Sequence, residues 1–227
     1  MKKLIAVIMR VLMVVSLAAC SADNSPNTPS AIGNKDRAEK FEEDVNKVEE
    51  KSGKGILAND AALGNVLTGT AVVRVLEFSG DDKPEMYIAY SDGTKPYANK
   101  QQIYGFDNGP YEFFSERKGN LELSEITSKS SADAKAPCIW LYTDESGISY
   151  LVIGEDLSKE AHYYSYVTVN PDGTKVYNFV EKFTGLNGKV YEGTYEKIEL
   201  AGITQDEANA IFAKNEEALK LIEAGKN

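Results

Sequence analysis

Oxygen-bearing side chains alternate within residues 76–90, which read LEFSGDDKPEMYIAY. Glu77, Ser79 and Asp81 stand at every second position, and Glu85 follows. Hard cations such as Ca²⁺ bind several oxygens, and alternate residues of a loop turn their oxygens to one side. The spacing suits a cation loop, and the alternative is an acidic β-turn that binds nothing.

The same stretch resembles the D-x-D-G-D-x-x-P-E-L loop of integrin-type FG-GAP propeller repeats, which joins two strands and often wraps calcium. The resemblance implies five ligand positions, which are Glu77, Ser79, Asp81, the carbonyl of Lys83, and Glu85. Two ligand positions depart from the pattern, since Glu77 is longer than Asp and Ser79 is neutral, and Asp82 stands where a glycine would ease the sharp turn. Calcium at this loop is therefore an expectation that needs structural context, and no other cofactor is expected.

A cysteine and the only histidine form a second candidate pair. Cys138 and His162 are chemically able to act as nucleophile and base, but Cys138 starts the apolar run CIWLY, where cysteine usually packs as a small hydrophobe. The chain carries no G-x-S-x-G, Walker or H-E-x-x-H motif. No enzyme activity is predicted, although 35 acidic residues leave a carboxylate-dependent hydrolase open.

The 13 tyrosines offer a third kind of site. In a strand, Tyr164 and Tyr166 lie on one face and Tyr163 on the other. A pair of exposed tyrosine rings forms a stacking platform for sugars or extended chains. The alternative is cross-strand aromatic packing without a ligand.

The N-terminus reads as an export signal. Lys2 and Lys3 precede an apolar segment that is interrupted by Arg10 and is shorter than the roughly 20 residues of a membrane span. The run Leu17-Ala18-Ala19-Cys20 resembles the lipobox of bacterial prolipoproteins. The resemblance implies a diacylglyceryl thioether on Cys20 and cleavage before it, so the expected first partner is the membrane.

The chain divides into three parts on composition. Residues 1–19 are the predicted signal peptide, residues 20–34 are a Ser-, Asn- and Pro-rich flexible tether, and residues 35–227 are one folded domain. A lipid-anchored domain of this kind lies outside the cytoplasm, at the cell surface or in the periplasm. The net charge of −10 makes nucleic acid an unexpected partner.

The elements that position these residues are mainly strands. Ala38, Phe41, Val45 and Val48 recur on one face and predict a helix over 36–51, capped by Asp36 with Glu39. A terminal helix follows the Thr204–Glu207 capping box, and its packed side is expected to carry Ala208, Ile211, Phe212, Leu219 and Ile222. Between them, turn signals separate about ten strands, and the polar run 128–137 predicts the longest loop. They are 71–77, 85–91, 101–106, 111–116, 121–126, 138–143, 148–153, 162–169, 175–183 and 189–199. We expect a mainly β antiparallel meander, as a partial propeller, sandwich or barrel.

Three functions remain open. The leading hypothesis is a membrane-anchored surface lipoprotein whose domain binds a protein, peptide or glycan without catalysis. The alternatives are a hydrolase of envelope or dietary polymer, which needs two carboxyls in unequal environments, and a structural subunit of a lipoprotein complex. The shape of the β domain distinguishes these functions, because a tyrosine-lined pocket, an acidic groove and a flat face each point to a different one.

Overall fold

The structure is a computed structural model that describes residues 32–105, 111–112, 138–158, 161–173, 175–183 and 193–227. These residues form two helices and eleven strands. The helices are α1 (Lys35–Ser52) and α2 (Gln205–Gly225). The strands are β1 (Ile56–Asp60), β2 (Gly64–Thr68), β3 (Thr70–Leu76), β4 (Glu85–Tyr90), β5 (Lys100–Tyr104), β6 (Tyr111–Glu112), β7 (Cys138–Thr143), β8 (Ser149–Ser158), β9 (Ala161–Val169), β10 (Lys175–Phe183) and β11 (Thr194–Glu199).

The strands pair antiparallel in three sheets. β1 and β2 form a hairpin, β3 to β6 follow chain order, and the order of the largest sheet is β10-β9-β8-β7-β11. The mainly β antiparallel fold with a helix near each end is therefore confirmed. Within the described residues, these strand orders close neither a barrel nor a propeller.

The four-stranded sheet is the middle layer of the fold. On one face, Val72 belongs to a buried cluster with Leu141 of the five-stranded sheet. On the other face, Val73 packs in a cluster with Phe41 of α1 and Ile222 of α2. Because neighbouring residues of a strand face opposite sides, β3 contributes to both cores.

Helix α1 begins one residue earlier than its predicted range and has a different cap. Oδ1 of Asn34 accepts hydrogen bonds from the backbone N–H groups of Asp36, at 2.9 Å, and Arg37, at 3.4 Å. The predicted cap by Asp36 with Glu39 is wrong, because Asn34 holds the extended backbone that a capping residue needs (φ −147°, ψ 121°). The predicted buried face is confirmed at Ala38, Phe41, Val45 and Val48.

Helix α2 has the predicted capping box. Glu207 N–H donates to Thr204 Oγ1 at 3.3 Å, and Thr204 N–H donates to Glu207 Oε2 at 2.7 Å. Leu219, which we expected on the packed face, is 38% exposed. Ile222 is buried as expected, and Ala218 is buried in place of Leu219, because α2 turns those positions toward α1.

The hairpin of β1 and β2 was not predicted from the sequence. Its strands are mostly half-buried or exposed, so they lack a strong apolar alternation. The turn is closed by Asp60, whose Oδ1 accepts from the N–H groups of Ala62 and Leu63 at 2.9 Å each. The predicted strand at 121–126 and loop at 128–137 lie outside the described residues.

Neither helix of the described part combines the length and apolar character that a membrane span requires. The apolar segment before Cys20 and Cys20 itself lie outside the described residues.

Candidate functional site

The acidic loop, residues 77–85, joins β3 to β4. It brings together the three predicted carboxylates of Glu77, Asp81 and Glu85, each of which places an oxygen within 4.8 Å of the others. The alternating sequence pattern therefore does produce a cluster. Glu85 is 1% exposed, whereas Glu77 and Asp81 are half-buried.

The acidic loop is closed by its own hydrogen bonds. Glu77 Oε1 accepts from the backbone N–H groups of Ser79 (3.1 Å), Gly80 (2.6 Å) and Asp81 (3.3 Å). Asp81 Oδ1 accepts from the Ser79 hydroxyl at 2.8 Å and from Lys83 N–H at 3.0 Å. These carboxylates therefore already stabilise the turn.

Arg37 of α1 lies over the end of the acidic loop. Its Nη1 donates to the carbonyls of Lys83 at 2.7 Å and Pro84 at 2.9 Å, and its Nη2 donates to the carbonyl of Gly105 at 3.2 Å. The same Nη1 is 4.0 Å from Glu85 Oε1. The Lys83 carbonyl, a predicted calcium ligand, is thus bound to a guanidinium.

The carboxyls of the acidic loop differ in pKa. Burial raises the pKa of Glu85 to about 7, assisted by the nearby charge of Glu77 and opposed by the N–H of Phe78. Burial also opposes ionisation of Asp81, but hydrogen bonds from Ser79 and Lys83 hold the pKa of that carboxyl below its usual range. Of these two carboxyls, Glu85 carries a negative charge less readily than Asp81.

Calcium fits this arrangement poorly. Ca²⁺ takes six to eight oxygens, whereas the Lys83 carbonyl faces Arg37 and one Glu77 oxygen faces three N–H groups. Burial of Glu85 further favours its uncharged form. As arranged, the residues suit a self-closed acidic turn better than a calcium loop, and calcium binding stays a prediction to be tested.

The predicted tyrosine platform is partly a packed cluster. Tyr166 is 2% exposed, its ring lies 5.3 Å from that of Tyr142, and its hydroxyl is 2.9 Å from the hydroxyl of Tyr195. Trp140 and Tyr150 pack at the margin of the same cluster. Cross-strand aromatic packing therefore explains Tyr166, while the side chain of Tyr164 lies outside the described part.

The candidate cysteine–histidine pair is not brought together on neighbouring strands. Cys138 is 5% exposed on β7. His162 is on β9, and β8 lies between these two strands. The side chain of His162 is outside the described part, and the strand order gives the dyad no support.

A groove of about 510 Å³ lies between the two large sheets and α2. Its walls are formed by an edge strand of each sheet, β3 and β11, and by one side of α2. The lining residues used below are Arg74 and Val75 of β3, Glu196 and Lys197 of β11, and Lys214 and Glu217 of α2. Volumes of 300–1,000 Å³ are usual for ligand sites.

A charged network crosses the floor of the groove. Arg74 binds the Glu196 carboxylate through both oxygens, with Nη2–Oε1 at 2.9 Å and Nε–Oε2 at 3.3 Å. Lys214 Nζ reaches the same Oε1 at 3.0 Å. Burial opposes the charge of Glu196, but Arg74 and then Lys214 hold the pKa of its carboxyl below the usual range.

Asn215 seals part of the edge of β3. Its Oδ1 accepts from Val73 N–H at 3.0 Å and from Arg74 Nη1 at 2.6 Å, and its Nδ2 donates to the Ala71 carbonyl at 2.9 Å. The buried amide thus takes the place of a neighbouring strand along Ala71 and Val73. In an antiparallel strand the two edges alternate, so the N–H and C=O of Val75 point out of the same edge, beyond this cap.

Backbone groups along one edge of β11 also point toward the groove. In the hairpin of β7 and β8, Asp144 N–H donates to the Ile148 carbonyl at 2.9 Å. The backbone groups of successive residues point to alternate sides of a strand. The N–H of Asp144 points toward β8, so the N–H and C=O of Leu141, three residues earlier, point toward β11, where Glu196 is its partner. The N–H and C=O of Lys197 therefore point away from β7, which is the strand neighbour of β11 among the described residues.

The groove was not predicted from the sequence, although two signals were present. Arg74 interrupts the buried strand TAVVRVL, and a charge within an apolar strand requires a buried partner. Asn215 occupies the packed face of α2 between Ala208 and Ile222. Each signal points to a polar contact, but the partners are 122 and 142 residues away.

No family model, no curated protein and no solved structure matches this chain.

Proposed function

We propose that this chain is a membrane-anchored surface lipoprotein whose β-rich domain is a non-catalytic binding module for an extracytoplasmic protein, peptide or glycan. The lipobox ending at Cys20 supports the anchor. The groove between β3, β11 and α2 supports binding, and it is the observation that carries this part of the proposal.

The electrostatics of the groove favour binding over carboxylate catalysis. A carboxylate-dependent hydrolase needs one carboxyl held protonated beside an ionised one. Glu196, at the groove floor, is held ionised by Arg74 and Lys214. Among the described carboxyls, the one with a clearly raised pKa is Glu85, and it lies in the acidic loop with 1% exposure.

The anchor is tested by fractionation of cells that express Cys20→Ala, with Cys138→Ala as the matched control. Two acyl chains hold a protein stably on a bilayer, so the control should stay in the membrane fraction with lipid mass on its N-terminal peptide. Cys20→Ala should leave that fraction. Membrane retention of Cys20→Ala, together with an unlipidated wild-type peptide, contradicts the anchor.

Binding is tested with the full chain in detergent on arrays of immobilised peptides and of envelope glycans. Lys214→Glu reverses the charge at the groove, and Lys47→Glu does the same on α1, away from it. The two lysines are 53% and 55% exposed, and each bonds one glutamate. We expect Lys214→Glu to weaken binding at least tenfold and Lys47→Glu to leave it unchanged. Equal responses, or no binding to either array, overturn the proposed binding role.

A further inference from the structure

Two strand edges, those of β3 and β11, border the groove, and side chains form its floor. By strand alternation, the N–H and C=O groups of Val75 and Lys197 point out of these two edges. Such edges are templates for another extended chain. A strand that adds to an edge forms main-chain hydrogen bonds at a spacing of about 4.8 Å.

The available edge of β3 is short. Asn215 occupies the backbone groups of Ala71 and Val73, and the Glu77 carbonyl accepts from Ser149 N–H at 2.6 Å. Val75 stands between these two closed positions. An added strand is therefore limited on this side to a few residues.

The charge of the groove differs from that of the whole chain. Arg74 and Lys214 balance Glu196 and Glu217 among its lining residues, and Lys197 is paired with Glu199, so the groove is close to neutral although the chain has a net charge of −10. Lys214 is 53% exposed, so its ammonium is accessible to a ligand as well as to Glu196. An acidic side chain meets less repulsion here than elsewhere on the protein.

We infer that the groove binds a short, extended, acidic peptide as an added strand on the edge of β11. This inference rests on the proposed binding function and names its ligand class. The backbone groups of Lys197 supply the main-chain hydrogen bonds, and Lys214 supplies the charge selection. Side chains of the peptide that alternate toward the groove floor meet the Arg74–Glu196 pair.

The test begins with a display library of random seven-residue peptides, selected on the full chain in detergent. We expect enrichment of Asp and Glu among the binders. Each selected peptide is then remade with a single N-methyl group at every position in turn, which removes one backbone N–H at a time. Added-strand binding predicts losses of at least tenfold at alternate positions and little change between them, which is an internal control within one peptide.

A protein variant supplies the second measurement. Lys197→Pro removes the outward N–H of β11 without removing a hydrogen bond to β7, and proline is tolerated at strand edges of this kind. We expect it to weaken the selected peptides at least tenfold. If the variant does not fold, the N-methyl series decides alone.

The outcomes separate the two proposals. Groove-dependent binding of glycans without peptides overturns the peptide inference and leaves the binding module standing. Peptide binding without a two-residue period in the N-methyl series, or selection of basic peptides, also overturns the inference alone. If no probe shows binding that Lys214→Glu weakens, both the inference and the binding role fail.

Discussion

Two arginine–glutamate pairs of this domain have opposite electrostatic outcomes. Arg74 binds both oxygens of Glu196, and the pKa of that glutamate is lowered. Arg37 directs its donors to backbone carbonyls and stays 4.0 Å from Glu85, whose pKa is raised to about 7. The same residue types therefore give an ionised, open groove floor in one place and a closed structural turn in the other.

The largest expected effect comes from breaking the groove pair. Arg74→Met leaves the partly buried Glu196 carboxylate with Lys214 alone and removes a partner of Asn215. Breaking a buried pair on one side typically costs about 3–5 kcal/mol, and we expect a loss of about 3 kcal/mol in equilibrium urea unfolding. Lys214→Met removes the exposed cation instead and should cost at most about 1 kcal/mol. Equal losses of stability in the two variants contradict the assigned difference between the buried Arg74 contact and the exposed Lys214 contact.

The corresponding change in the acidic loop should cost less. Arg37→Met leaves the carbonyls of Lys83, Pro84 and Gly105 without their guanidinium donor. One buried unsatisfied group costs about 1–3 kcal/mol, and because water can reach these exposed or partly buried carbonyls, we expect a total loss of about 1–2 kcal/mol in the same urea titration. Lys35→Met, two residues away at an exposed position of α1, is the control and should stay within about 0.5 kcal/mol of wild type. A larger loss for the control argues against an anchoring role of Arg37.

Glu85 should make stability depend on pH. Its folded pKa of about 7 lies above the ordinary value of 4.5, so between these values the folded state holds a proton that the unfolded state has released. The free energy of unfolding then falls as pH rises from about 4.5 to 7. Glu85→Gln should flatten this slope in urea titrations across that range, whereas the exposed Glu216→Gln should retain it. An unchanged slope in Glu85→Gln would falsify the assignment to Glu85.

The smallest expected effect is that of calcium. The carboxylates of the acidic loop already accept hydrogen bonds within the loop, and Arg37 occupies the Lys83 carbonyl. We therefore expect no binding heat and no shift in Tm with calcium up to millimolar concentration. Saturable binding that disappears in Asp81→Asn would restore the calcium loop suggested by the sequence.

The sequence predicts local features of this fold better than distant ones. Turn dipeptides locate β3 to β5 and β7 to β10, and the Thr204 capping box locates the start of α2. Asn34 was missed as a cap because Asp36 and Glu39 offer a similar pattern two residues later. These successes and errors all depend on residues within a few positions of each other.

The candidate sites show the same limit more clearly. The acidic loop is contiguous, so its spacing brings Glu77, Asp81 and Glu85 together as expected. Spacing does not predict that Arg37, 46 residues before Lys83, takes a ligand carbonyl. The groove joins β3 to β11 and α2 across more than 100 residues, and only packing of the sheets reveals it.

The most direct test compares amide hydrogen exchange of the full chain with and without a selected acidic peptide. If the groove is the binding site and the acidic loop is a structural turn, exchange should slow at the amides of Lys197 and Val75. Exchange at Gly80 and Asp81 should not change, because their N–H groups already donate to Glu77. Slowing confined to the acidic loop, with no change at Lys197 and Val75, contradicts this assignment.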